Sequence, residues 1–160
     1  MRWTLITALI LISLVSVVSV VVALWMLRSG NTEGQAGVGL SNGSMRVEQD
    51  LYSGNSYQLP AVVVVNTGEI AADYSVRIVH RAEQQELRPL KDWFTFDPRR
   101  FSLKPKLEQS VSVEIRLPVG AEPGEYFALI EAYPVARSGG GPTIQIAAAT
   151  KLNFKVVSDH

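Results

Sequence analysis

The side chains able to do covalent or acid–base chemistry are scarce in this 160-residue chain. There is no cysteine, which removes thiolate nucleophiles, disulfides and sulfur-ligated metals. The two histidines, His80 and His160, lie far apart in sequence, and Asp and Glu occur singly. Neither a histidine-based metal set nor a paired-carboxylate site can be read from such spacing. No His-Glu-x-x-His motif and no phosphate-cradling glycine loop is present. We therefore expect no catalysis, no cofactor and no metal. His80 falls on the apolar phase of a strand pattern and is read as a core or boundary residue.

What remains is recognition chemistry. Fifteen Lys+Arg against fifteen Asp+Glu give zero formal charge, so nothing argues for nucleic acid. The charge is nevertheless uneven. From Arg77 to Lys106 there are eight basic and four acidic residues, and from Glu108 to Glu131 five acidic and one basic. Pairing within one domain accounts for this. So does a basic surface centred on Arg99-Arg100 and Lys104 that faces anionic lipid, wall polymer or an acidic partner. Trp93-Phe94-Thr95-Phe96 is open to two readings as well: core aromatics of a small sandwich, or a carbohydrate platform with Trp93 foremost.

These residues must be positioned by a chain that changes character twice. From Trp3 to Leu27 run 25 residues with neither charge nor proline. As a helix this run is about 37 Å long, enough for a hydrocarbon core of about 30 Å. Trp3 and Trp25 suit the two membrane interfaces, and Arg28 marks the exit. A cleaved signal peptide, with Val21-Val22-Ala23 as its site, is the competing reading, but the apolar run is long and continues past that site. Residues 1–28 are therefore expected to be an uncleaved single-pass anchor. Arg2 and the α-amino group place the N-terminus in the cytoplasm and the bulk of the chain outside it. Residues 29–44 contain five glycines among sixteen residues and read as a flexible linker spanning about 20–25 Å. Asn42-Gly43-Ser44 fits a glycosylation acceptor, a pattern short enough to arise by chance.

From residue 45 to 160 the apolar period is two. Met45, Val47 and Leu51 alternate with polar neighbours; Leu59–Val65 is a continuous run expected to be buried on both sides, with Pro60 at its start. Tyr74, Val76, Ile78 and His80 share a phase, as do Val111, Val113, Ile115 and Leu117. Residues 81–90 read as loop, and Ile144–Val156 carries the strongest alternation. Seven or eight short strands punctuated by turns, with no helix after Arg28, predict an all-β fold: a single antiparallel β-sandwich of the immunoglobulin kind behind one transmembrane helix.

Asp97-Pro98-Arg99-Arg100-Phe101-Ser102-Leu103-Lys104-Pro105, the Ser110–Leu117 strand and Pro123-Gly124-Glu125-Tyr126 together resemble bacterial Ig-like modules. Such modules are appended to exported enzymes and surface proteins, and a similar run occurs in the N-terminal domain of periplasmic pilus-assembly chaperones. Val62–Val65 followed by Asn66-Thr67-Gly68 adds to the likeness. The resemblance implies a fold, and a tyrosine corner at Tyr126. Three functions are compatible with it. The first is a non-catalytic accessory subunit of an envelope or cell-surface assembly, working by protein contact. The second is a pilus-related or chaperone-like protein whose edge residues Ile144, Ile146, Leu152, Phe154 and Val156 pair with a partner strand. Against a pilin, Leu5 stands where bacterial pilins commonly carry glutamate. The third is a wall- or carbohydrate-binding module.

Overall fold

A computed structural model describes residues 35–135 and 146–158. Trp3, Trp25, Arg28 and Ile144 lie outside the described residues, as does the helix expected over 3–27. No helix among the described residues is long and apolar enough to cross a membrane. They fall within the compact unit Gly34–His160.

Among the described residues ten strands form, against the seven or eight expected, because the N-terminal run breaks into short pieces as it changes sheets: β1 Gly39–Leu40, β2 Ser44–Arg46, β3 Leu51–Tyr52, β4 Ser56–Val65, β5 Ala72–Val79, β6 Phe94–Asp97, β7 Arg100–Leu103, β8 Glu108–Arg116, β9 Gly124–Pro134 and β10 Ala148–Val157. One 3-10 turn, Lys91–Trp93, precedes β6. One sheet has the order β1-β4-β8-β6; the other has β2-β10-β9-β5-β7, with β3 also on β10. The side chains facing inward from both sheets make the core. Val62, Val64, Tyr74, Val76, Val111, Val113, Ile115, Ile130 and Leu152 are fully buried there, as period-two alternation requires. The fold is all-β and sandwich-like, as the alternation predicts.

Two runs change sheets. The N-terminal run pairs with β4 through β1 and then with β10 through β2 and β3. The middle run pairs with β8 through β6 and then with β5 through β7, crossing at a cis Asp97–Pro98 peptide. Each lateral side of the sandwich is thus bordered by one chain segment that serves both sheets.

Four expectations are corrected. The sheets are not wholly antiparallel: β2 and β3 run parallel to β10, because the N-terminal run changes sheets without reversing direction. Leu59–Val65 is not buried on both sides; Val62 and Val64 enter the core while Val63 and Val65 are half-covered. Pro60 does not open the strand but sits within β4, where the register shifts between Leu59 and Val62 and no ladder donor is needed.

The fourth concerns the glycine-rich stretch 29–44, of which residues from Gln35 onward belong to the sandwich. Val38 is buried, Thr67 N donates to Gly37 O (3.2 Å) and Tyr74 Oη donates to Gly37 O (2.8 Å). A Cβ on Gly37 would meet Gly68 N at 2.8 Å, and one on Gly68 would collide with Gln35 O and Gly37 N. These glycines permit close backbone approach, which composition cannot distinguish from flexibility.

Candidate interaction edge

The turn after β4 builds one end of the sandwich, here called the proximal end. Asn66 is fully buried, and its amide donates to Ile70 O (2.8 Å) and Leu103 O (3.1 Å) while its Oδ1 accepts from Gly68 N (2.9 Å). Its backbone N donates to Leu107 O (3.0 Å) and its carbonyl accepts from Lys106 N (2.9 Å). One residue thereby joins the 66–71 turn to the end of β7 through its side chain and to the loop after β7 through its backbone. The Asn-x-Gly motif signals a turn; nothing in it signals a buried junction.

From that junction β7 runs back along the lateral side. Phe101 and Leu103 face inward, whereas Arg99, Arg100, Ser102 and Lys104 are exposed. Among the described residues β7 pairs only with β5, and no described strand lies on its other side. Val76 N donates to Arg99 O (3.1 Å), and antiparallel ladders alternate, so the backbone groups of Arg100 and Ser102 face away from β5. Ser102 Oγ donates to the Asp73 carboxylate on the outer face.

The basic side chains of this region divide into two groups. Arg77 pairs with Glu131 (2.5 Å) and lies over Tyr133, and Arg81 lies over the Phe127 ring. Arg88 donates to Ala82 O and Lys106 to Thr67 O. Lys91, Arg99, Arg100 and Lys104 form no ion pair or side-chain hydrogen bond among the described residues, and Lys91 lies apart from the other three, in the 3-10 turn before β6. The structure therefore places three of these cations, Arg99, Arg100 and Lys104, along a strand edge that no other described strand covers. That β7 lies at an edge is a property of topology, and no residue in it announces the fact.

The remaining candidates fall elsewhere. Trp93 lies in the 3-10 turn at the opposite end of the β6–β7 run, half-buried, with its ring 5.5 Å from Tyr126. Phe94 and Phe96 are core residues. Tyr126 stacks on Phe154 at 5.1 Å, and its hydroxyl donates to Glu122 O (2.7 Å), the geometry of a tyrosine corner. Burial, reinforced by the Glu122 charge, pushes this phenol above its ordinary range.

The strand-pairing edge proposed for Ile144–Val156 is not presented as such. Leu152, Phe154 and Val156 point into the protein's own core, and β2 and β3 already occupy the outer edge of β10. Ile146 is exposed. The reason is parity: the phase that looked like a row of donor side chains is the phase facing the opposite sheet. A shallow recess of about 170 Å³ beside β10 is lined by Arg46, Glu48, Asp50, Glu125 and Lys155 among others. It is smaller than the roughly 300 Å³ of an ordinary small-molecule site, and its charges are mixed. Among the described residues, no cluster of His, Asp and Glu could hold a metal ion.

The fold is an immunoglobulin-like β-sandwich, similar to PapD-like domains. The chain matches no family model and no curated protein. Among solved structures it is similar to PapD-like domain 7 of human CEP192, with a TM-score of 0.52 and 15% identity over 77% of this chain and 87% of that one. It is also similar to the E. coli chaperone DraB, with a TM-score of 0.54 and 12% identity over 76% of this chain and 56% of that one. A third is the Salmonella enterica SafA pilin in complex with the SafB chaperone, with a TM-score of 0.51, 15% identity and coverage of 76% and 55%. The chain spans little more than half the length of these two bacterial chains. At such identities the likeness is one of fold.

Proposed function

We propose that this protein is a membrane-anchored, non-catalytic Ig-like domain that holds a protein partner outside the cytoplasm. The partner's acidic, extended segment is read by the β7 edge. The observation that carries this is the coincidence of the outward backbone of Arg100 and Ser102 with unpaired Arg99, Arg100 and Lys104. An added strand would gain main-chain hydrogen bonds there, and acidic side chains would meet three exposed cations. Charge on a strand edge also keeps edges apart, so the reading turns on a difference between acidic and neutral segments. The structural likeness to chaperones, one of them solved with its pilin, is consistent with work by protein contact. The anchor rests on the apolar run 3–27 and the orientation on Arg2.

The test is photo-crosslinking in native membranes, with a reactive residue at Ser102 and a control at Thr95 on β6. A partner captured from 102 and absent from 95 is expected. The pair Arg99→Glu and Arg100→Glu should weaken capture about tenfold or more with the melting temperature unchanged. Equal capture from both positions, or capture indifferent to charge reversal, would sink this reading.

A further inference from the structure

We propose that the proximal end of the sandwich docks on the lipid surface of the membrane that the apolar run crosses, through Ile70, Leu107 and Ile146; this rests on the anchor reading above. Ile70, Leu107 and Ile146 are 41%, 53% and 47% exposed, and they come from three different segments. Asn66 binds the first two segments together, donating to Ile70 O and Leu107 O. Val135 N donates to Asp73 O (2.7 Å), which brings the end of β9, and with it the start of β10 next to Ile146, to the same end.

The occupant is indicated by where the chain comes in. Glu69 N donates to Gln35 O (3.3 Å), so the polypeptide joins the sandwich at this same end. Only six residues separate Arg28 from Gln35, a reach of about 25 Å at full extension. The opposite end is out of range of that surface when the proximal end meets it. The nine residues of β8 alone put Val119 about 30 Å farther along the strand direction. Charge does not drive the contact. Lys104 and Lys106 are offset at this end by Glu69, Asp73 and Glu108, so shallow aliphatic insertion carries it, with the lysines left to headgroup phosphates.

Because the chain has no cysteine, Ile70→Cys, Leu107→Cys and Val119→Cys each give a single labelling site. The full chain, carrying an environment-sensitive fluorophore at one site, is reconstituted into phosphatidylcholine–phosphatidylglycerol vesicles containing a headgroup-nitroxide lipid. Quenching several-fold stronger at 70 and 107 than at 119 is expected. Equal quenching at all three overturns docking. Energy transfer between copies that grows with protein-to-lipid ratio, without nitroxide quenching, also overturns it and makes this end an interface between copies. A chain that does not float with the vesicles fails the anchor reading, and docking falls with it. A chain that floats but shows no quenching at 70 and 107 fails docking alone.

Discussion

His80 shows how far a single side chain can be read. Its phase with Tyr74, Val76 and Ile78 points to the interior, but β5 ends at Val79 and leaves the imidazole half-covered at the strand's end. Nε2 is buried without a hydrogen-bond partner. Burial holds the ring below its ordinary value near 6.5; the Lys91 and Arg88 charges act the same way, and the hydrogen bond with the Pro89 backbone opposes them. A basic group whose folded value is depressed stabilises the fold while neutral. The contribution is present above about 6.5 and is lost as pH falls through that value toward the lower folded one. Urea midpoints between pH 7.5 and 5.5 should therefore fall with pH, and His80→Gln should flatten that slope. An unchanged slope in the variant would place the titrating group elsewhere.

At the scale of elements, the two switching runs decide the architecture. Each leaves one sheet after two to four residues and joins the other, so neither lateral side exposes a long flat edge. The N-terminal run is seated by the crossing of Gly37 and Gly68, where neither position leaves room for a side chain. Gly68→Ala should cost about 2 kcal/mol through the displacement it forces on Gln35 and Gly37. Gly43→Ala, with open space around it, should cost less than about 0.5 kcal/mol. Chemical denaturation of the two variants distinguishes a glycine held for close approach from one that is simply permissive.

For the whole molecule, the buried core of the described residues is drawn from residues 38–156, and a chain without cysteine adds no disulfide to it. A chain beginning at Gly34 should fold cooperatively, with a melting temperature within a few degrees of the full chain in detergent. One beginning at Met45 should lose Val38, β1 and the Gly37 acceptor of Tyr74, and melt markedly lower. Thermal melts followed by circular dichroism check both. Similar melting of the two would mean that the 35–44 segment contributes no packing, despite its burial.

Much of the strand content was legible because a half-buried strand must alternate. Val111, Val113 and Ile115 or Leu152, Phe154 and Val156 could take no other period. The absence of thiolate chemistry follows from composition alone, since a chain without cysteine cannot use thiolates wherever its residues lie. What alternation does not carry is partnership. It names the apolar phase of β10 without saying that the opposite sheet, and not a partner, receives it. It places Arg99, Arg100 and Lys104 in sequence without saying that β7 ends its sheet among the described residues. It marks Gly37 and Gly68 as small without saying that they meet. Side-chain period is set locally by the backbone, whereas edges, crossings and proximity arise only when distant segments pair. That division separates what one dimension determined from what three decided.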